Sequence, residues 1–281
     1  MNPRGLFDLV RPMNCVMIGF AVIVGAFVSK PPSIPWLQLA LGFFTGLFLC
    51  AYSMSVNDVY DLEVDRINRP DRPIPSGKIS VRQASALSLV MLVAGLACAF
   101  LSFLLLAIVI ALGYAFLSWL YNARAKRTGL PGNLIVASSL AIPFIYGGAV
   151  SGGSIGGSLL LMMALTAFFS GVGREVVKSM ADVEGDAKRE VSSIARTRGL
   201  GFASGVGALF FLLAVLTSLV PLVTGLANQV YTYGVIVPDV IFVYLAAAIV
   251  VRNDPKSAYR VKRIALAGMT VGLLVFVGGA V

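Results

Sequence analysis

The sequence predicts an all-α membrane protein with nine transmembrane helices, its N-terminus in the cytoplasm and its C-terminus outside. Of its 281 residues, 58% are hydrophobic and 12% are charged, whereas a typical soluble domain is about 25% charged. The mean hydropathy is +0.90. These values exclude a soluble enzyme, a disordered chain and a disulfide scaffold. We expect residues 1–281 to form a single transmembrane domain.

Nine apolar windows are each long enough to cross a hydrocarbon layer of about 30 Å. The apolar run over residues 83–121 would be nearly twice that length as one helix, so we expect it to divide near Ser102. The expected helices cover residues 12–29, 36–56, 82–101, 103–121, 132–150, 158–178, 201–220, 235–251 and 263–281.

The positions of the charged residues support this number of helices and their orientation. With the N-terminus inside, 21 of the 22 Lys and Arg residues lie in inner segments, and Lys30 lies outside. Among the acidic residues, only Asp239 lies outside. Cytoplasmic loops of membrane proteins collect Lys and Arg, so the net charge of +9 indicates membrane topology rather than nucleic-acid binding. We expect a multi-pass protein of the cell membrane whose chemistry faces the cytoplasm.

A first acidic cluster lies at the inner end of the second expected helix. If this helix continues, four oxygen-bearing side chains fall within an arc of about 100°. They are Asn57, Asp58, Asp61 and Asp65. Three carboxylates on one helical face repel one another unless a cation lies among them. Because their oxygens suit Mg²⁺ or Ca²⁺ better than zinc or copper, all four residues are candidate metal ligands.

A second cluster lies at the inner end of the sixth expected helix, where Lys178, Asp182 and Asp186 repeat every four residues. The topology sends both clusters to one side of the membrane, where they could hold two Mg²⁺ ions between them. The sequence contains no His, so imidazole is neither ligand nor base. Spacing alone leaves a cation transporter open, although transporters place their ion sites near the membrane midplane.

Basic and aromatic residues lie close to both clusters. Arg66 and Arg72 follow the first cluster, and Arg124 and Lys126 follow the fourth expected helix. Their cationic groups could contact phosphate oxygens beside the metals. Tyr121 could offer its π face to a carbocation.

Two Mg²⁺ ions flanked by Lys and Arg would form a clamp for a diphosphate. The apolar helices around this clamp indicate that the diphosphate belongs to a lipid. Ionisation of an allylic diphosphate would leave a carbocation, which a water-poor cavity protects from hydrolysis. An acceptor nucleophile would then take the prenyl chain. This reaction fits the residues, but the pattern alone leaves other reactions open.

Three stretches of the chain resemble the motifs of the UbiA superfamily of intramembrane prenyltransferases. They are residues 57–77, 121–133 and 174–186. The resemblance implies nine helices around a central cavity, a lateral opening for lipid chains, a polyprenyl diphosphate donor and two Mg²⁺ ions. The metal ligands that it implies are Asn57, Asp61, Asp65, Asp182 and Asp186. We expect contacts with membrane lipids and no obligate protein partner.

Within this superfamily, residues 67–77 and 182–186 look most like archaeal enzymes that transfer a geranylgeranyl group to the hydroxyl of geranylgeranylglyceryl phosphate. Chlorophyll-type synthases look similar in both stretches, and an aromatic acceptor such as hydroxybenzoate or a quinone precursor is the nearest alternative. The residues expected to act in catalysis are Asp61, Asp182, Lys126 and Tyr121. Those expected to bind substrate are Arg66, Arg72, Arg124, Lys126, Lys178 and Asn133.

Overall fold

A computed structural model describes residues 3–188 and 190–280, and over these residues the chain is helical without a strand. The first seven α-helices are α1 (Pro3–Val10), α2 (Pro12–Val28), α3 (Trp36–Tyr60), α4 (Leu62–Asn68), α5 (Val81–Leu101), α6 (Leu105–Ala123) and α7 (Leu130–Ser151). A short 3-10 helix covers Ala125–Arg127. The other seven are α8 (Ser158–Ala181), α9 (Val183–Lys188), α10 (Ile194–Arg198), α11 (Leu200–Val223), α12 (Gln229–Gly234), α13 (Ile236–Val251) and α14 (Pro255–Ala280).

Eight segments of the described chain are long and apolar enough to cross a membrane. They are α3, α5, α6, α7, α8, α11, α14 and the unit formed by α12 and α13. A ninth span requires α1 and α2, which are bent by 43°, to count as one. The bend lies at Arg11, whose φ of 51° leaves the helical region, because the proline that follows disfavours a helical conformation. The helical membrane fold is confirmed, whereas the ninth span and the orientation of the termini stay predictions.

The long apolar run divides at the expected position. α5 ends at Leu101 and α6 begins at Leu105. Ser102 closes α5 by donating its hydroxyl to the Ala99 carbonyl at 2.7 Å. Phe103 then turns the chain with a φ of 55°. The two helices are therefore joined by a tight turn.

The final helix begins eight residues before its expected start, at Pro255 instead of residue 263. The carboxylate of Asp254 accepts hydrogen bonds from the backbone amides of Lys256 and Ser257 at 2.9 and 3.0 Å. A side-chain acceptor at this position stabilises the first turn of a helix. The polar start of α14 therefore continues the apolar helix, and Lys262 lies within it.

α7 packs closely against α2 and against several other helices. A Cβ atom on Gly25 of α2 would lie 2.1 Å from the carbonyl oxygen of Phe144 on α7, and one on Gly147 would lie 2.0 Å from that of Val22. Such glycines allow two helices in lipid to touch backbone to backbone. α7 also packs against α3, α6 and α8, and α8 packs against α11 and α14.

Candidate active site

The first acidic motif, residues 57–65, joins α3 to α4. Asp61 interrupts the helix between them with φ −90° and ψ 1°. Helical hydrogen bonds continue across the interruption, because the Asp61 N–H donates to the Asn57 carbonyl at 2.9 Å and the Asp65 N–H donates to the Asp61 carbonyl at 2.8 Å. The four-residue spacing of these side chains is therefore preserved.

Asp61 lies at the centre of a polar triad. Lys126 donates from Nζ to Asp61 Oδ2 in an ion pair and to Asn57 Oδ1 at 3.1 Å. The Asn57 amide donates from Nδ2 to the same carboxylate at 3.1 Å. Lys126 comes from the 3-10 helix, 65 residues away in sequence, so helix packing assembles this triad.

Asp58 and Asp65 are buried and held by two arginines. Arg72 donates from Nη1 to Asp65 Oδ2 at 2.5 Å and to Asp58 Oδ1 at 3.3 Å. Arg11, at the bend between α1 and α2, donates from Nη2 to Asp58 Oδ1 at 2.5 Å. Burial raises the pKa of Asp65, and the Arg72 guanidinium opposes this effect. Charged hydrogen bonds of this kind offset the desolvation of a carboxylate.

Arg66 lies apart from these pairs. Its side chain is largely exposed and donates from Nη1 to Glu63 Oε1 at 2.9 Å, on the solvent side of α4. The helical arc of the sequence already turns both residues away from the acidic face. A role for Arg66 in substrate binding stays a prediction.

The second acidic motif, residues 175–186, repeats this construction. Asp182 interrupts the helix between α8 and α9 with φ −105° and ψ 14°. The Asp186 N–H donates to the Asp182 carbonyl at 2.9 Å, and Asp186 is buried. Lys262 of α14 donates from Nζ to Asp182 Oδ1 at 3.2 Å. A carboxylate at a helix interruption is thus paired with a lysine from a distant element in both motifs.

An ionic triad surrounds the buried carboxylate of Glu175, one to two helical turns before Asp182. Glu175 accepts a hydrogen bond from Arg174 Nη1 at 2.7 Å and another from Lys178 Nζ at 2.8 Å. The sequence suggests that Lys178 faces Asp182, but its ammonium contacts Glu175. The Arg174 Nε is buried without a hydrogen-bond partner among the described residues.

The turn that carries Lys126 also touches the chain after the second motif. The Ser192 N–H donates to the Arg127 carbonyl at 2.9 Å. Gly129 permits this approach, since a Cβ atom there would lie 2.1 Å from the Ser192 carbonyl oxygen and its φ is +73°. This turn therefore brings the two motifs to one end of the bundle, which we call the motif end.

Other expected substrate-binding residues surround the same turn. Arg124 is exposed where α6 ends. Asn133 is partly buried, and its Nδ2 has no hydrogen-bond partner among the described residues. Tyr121, which is partly buried near the end of α6, lies close enough to Lys178 of α8 for their charges to interact. An unpartnered buried amide at this position is suited to a polar ligand.

The donor set of the motifs fits a hard divalent cation. Among the described residues, no three acidic or cysteine side chains converge as a ready-made ion site. Lysine and arginine groups lie between the carboxylates instead, as Lys126 does at Asp61. Carboxylate and amide oxygens are nevertheless the ligands that Mg²⁺ prefers. A metal ion bound at the motif end would replace some of the Lys and Arg groups that now neutralise the motif carboxylates.

The sequence analysis did not identify Arg11 and Lys262 as functional candidates, and it included Arg174 and Glu175 in the second motif without assigning them a role. The sequence marks Lys262 only as one of five cations in residues 252–263. Its pairing with Asp182 spans 80 residues, and no local spacing reveals such a contact.

Comparison with known proteins identifies the family. Residues 18–273 match the UbiA prenyltransferase family. The digeranylgeranylglyceryl phosphate synthase of Archaeoglobus fulgidus is 37% identical, over 99% of this chain and 95% of that protein. The synthase of the same name from Pyrococcus furiosus is 32% identical, over 100% and 98%. The chain therefore belongs to the UbiA prenyltransferase family, and the predicted prenyltransferase class is confirmed.

Solved structures show the same fold. One, described as giving insights into digeranylgeranylglyceryl phosphate synthase in membranes, is 31% identical, has a TM-score of 0.79 and is matched over 99% of this chain and 98% of its own. A UbiA homologue from Archaeoglobus fulgidus, bound to GPP and Mg²⁺, is 18% identical with a TM-score of 0.68 over 97% and 99% of the two chains. At that identity the likeness concerns the fold alone.

Proposed function

We propose that this prenyltransferase transfers a geranylgeranyl group from its diphosphate to the hydroxyl of geranylgeranylglyceryl phosphate, at the cytoplasmic face of the cell membrane. The observation that carries the proposal is the turn at residues 125–129, which contacts Asp61 through Lys126 and the chain after Asp182 through Arg127. Two relatives named for this synthesis, 37% and 32% identical over nearly the whole chain, support the acceptor. The GPP and Mg²⁺ of a homologous structure support the donor class.

The basic side chains of the motif end bind the diphosphate. Lys126, Arg72 and Lys262 each pair with a carboxylate in the free protein. A diphosphate offers them phosphate oxygens of higher charge, and their charged hydrogen bonds then orient the leaving group. Arg124 and Asn133 lie beside the same turn and contact the outer phosphate.

The oxygens of the two motifs would hold the divalent cations. The proposed ligands are Asn57, Asp61, Asp65, Asp182 and Asp186, for two Mg²⁺ ions. When bound, Mg²⁺ stabilises the negative charge that develops on the departing pyrophosphate. Asp58 is enclosed by Arg11 and Arg72, so it positions these arginines instead of contacting an ion.

The chemistry breaks the bond between C1 of the prenyl group and its diphosphate oxygen and forms an ether bond to the acceptor oxygen. The Tyr121 ring faces the electron-poor C1 and stabilises its positive charge. The surrounding apolar helices exclude water, which would otherwise capture C1. The sequence contains no His, so a motif carboxylate or the released pyrophosphate accepts the hydroxyl proton.

Prenyl transfer by the purified protein tests this proposal. Geranylgeranyl diphosphate and Mg²⁺ are supplied with geranylgeranylglyceryl phosphate or hydroxybenzoate, each with and without EDTA. We expect a diether product with geranylgeranylglyceryl phosphate and no product with hydroxybenzoate. We expect the diether product to be lost in EDTA. Transfer to hydroxybenzoate alone would contradict the lipid acceptor, and an EDTA-insensitive diether product would contradict the metal.

A further inference from the structure

Two cations share one buried carboxylate on α8. Glu175 is 6% exposed, and its two carboxylate oxygens accept separately from Arg174 Nη1 and Lys178 Nζ. We call these three residues the Glu175 triad. In the first motif, two arginines face two carboxylates, those of Asp58 and Asp65. The Glu175 triad therefore holds one positive charge more than its own carboxylate neutralises, and its two cations lie close enough to repel each other.

The Glu175 triad also has an unused hydrogen-bond donor. Arg174 Nε is buried and has no hydrogen-bond partner among the described residues, although nearly all buried polar groups in proteins have one. The whole side chain is 25% exposed, so a ligand can reach it. Carboxylate and phosphate oxygens match the guanidinium, which can bind them through two parallel hydrogen bonds. Both the excess charge and the unused donor therefore favour an anionic ligand at Arg174.

The Glu175 triad faces the other elements of the proposed active site. Lys178 lies close enough to Tyr121 of α6 for their charges to interact. Glu175 lies close enough to Lys262 of α14 for the same effect, and α8 packs against α14. The triad is therefore placed beside the ring that would face C1 of the donor and beside a lysine that would bind the diphosphate.

Arg174 lies deeper in the bundle than the carboxylate that follows α8. Eight residues separate it from Asp182, which corresponds to about 12 Å of helix. Because α8 ends next to Asp182 at the motif end, Arg174 is displaced from the proposed diphosphate site toward the donor's prenyl chain. The acceptor carries its phosphate on the carbon next to the one with the hydroxyl. When that hydroxyl attacks C1, the acceptor phosphate must therefore lie close to C1 and apart from the diphosphate.

We propose that Arg174 binds the phosphate of the lipid acceptor and that Glu175 positions Arg174 for this contact. The inference rests on the proposed function for the site of the diphosphate and for the acceptor class. Lys178, one helical turn nearer the motif end, stays directed to the diphosphate. Glu175 thus holds apart two cations that serve the two substrates. A phosphate monoester carries about two negative charges, whereas an acceptor without this group gains nothing from Arg174.

Two acceptors that differ only in the phosphate test the proposal. kcat/KM is measured with geranylgeranylglyceryl phosphate and with geranylgeranylglycerol, at saturating geranylgeranyl diphosphate and Mg²⁺. Their ratio reports what the phosphate contributes. Arg174→Gln keeps a donor for Glu175, and we expect it to lower the ratio by about tenfold or more, the scale of a lost charged hydrogen bond. Donor KM should stay near wild type. Arg174→Lys keeps the charge without the fork, so its ratio should fall between the other two.

Arg260→Met is the matched control, since Arg260 is an exposed cation two residues before Lys262 on α14, and it should keep the wild-type ratio. A residue that only stabilises the fold would affect both acceptors alike. An unchanged ratio in either folded variant of Arg174 would therefore overturn the proposal, as would a loss confined to donor KM. Arg174→Lys gives the reading if Arg174→Gln does not fold.

The wild-type enzyme separates this inference from the proposed function. If it transfers to neither lipid, the proposed function fails and the role of Arg174 fails with it. If it forms the diether without preferring the phosphorylated acceptor, or if the folded variants keep that preference, the role of Arg174 alone is overturned.

Discussion

The two acidic motifs share one construction but differ in how their charges are held. Asp61 and Asp182 each interrupt a helix with similar backbone angles, and each pairs with a lysine from a distant element. The Asp61 side chain is 16% exposed, whereas that of Asp182 is 41% exposed. The first motif is therefore the more enclosed of the two, and the second is more open to a ligand.

The residue four positions earlier shows the sharper difference. In the first motif this residue is Asn57, whose amide contacts the Asp61 carboxylate. In the second motif it is Lys178, whose ammonium contacts Glu175. An amide adds an oxygen ligand for a cation, whereas an ammonium attracts phosphate. We therefore propose that the first motif supplies more oxygen ligands for a metal, and that Lys178 gives the second motif an additional cation for the diphosphate.

The largest expected effect is the loss of either central carboxylate. We predict that Asp61→Ala and Asp182→Ala each lower kcat/KM for prenyl transfer by at least about 100-fold, because each removes charge stabilisation in the transition state. Glu63→Ala, two residues from Asp61 and exposed, is the matched control and should stay near wild type. Wild-type rates from a folded Asp61→Ala protein would remove the metal assignment.

Substitution of Lys126 and of Lys178 should further distinguish the roles of the two motifs. Lys126→Met removes contacts to both Asn57 and Asp61, and we predict a donor KM about tenfold higher, the scale of a lost charged hydrogen bond. Lys178→Met should raise donor KM less and leave the Mg²⁺ dependence unchanged. Donor and Mg²⁺ titrations check both predictions. A shifted Mg²⁺ midpoint in Lys178→Met, with unchanged donor KM, would reverse the roles assigned to the motifs.

Loss of the arginine contacts of the first motif should mainly lower the free energy of unfolding. Arg11→Met leaves buried Asp58 with fewer partners and detaches the bend between α1 and α2, and we predict a loss of about 1–3 kcal/mol. Arg66→Met removes only an exposed pair, whose contribution is about 0–1 kcal/mol. Thermal unfolding in detergent compares the two variants. Equal melting temperatures for both would show that the Arg11 contact adds nothing to the fold.

The smallest effect concerns the start of the helix that carries Lys262. The Ser257 hydroxyl, with backbone amides, lowers the pKa of Asp254. Because the pKa of Asp254 is lower in the folded than in the unfolded protein, its carboxylate stabilises the fold. This stabilisation is complete above the ordinary pKa of Asp and is lost as the pH falls through the lowered pKa. Asp254→Ala should remove this slight acid dependence with little effect on activity at neutral pH. Unfolding midpoints at acidic and neutral pH measure it, and an identical pH profile in the variant would contradict the capping role.

The sequence predicts the parts of this protein that depend on local patterns. Apolar windows locate the helices, and the expected division at Ser102 is confirmed. The four-residue spacing around Asp61 and Asp182 finds both motifs. Their partners Arg11 and Lys262 could not be predicted, because pairing across 47 and 80 residues depends on how the helices pack.

In the proposed function, the two motifs act together on one diphosphate. Prenyl transfer by Asp61→Asn, Asp182→Asn and the double variant, with side-chain size retained, measures this directly. Groups that act as a unit lose most of their effect with the first substitution. We therefore predict that the double variant has about the same kcat/KM as the less active of the two single variants. A double variant whose loss equals the product of the two single losses would show two independent sites and would contradict joint action of the motifs.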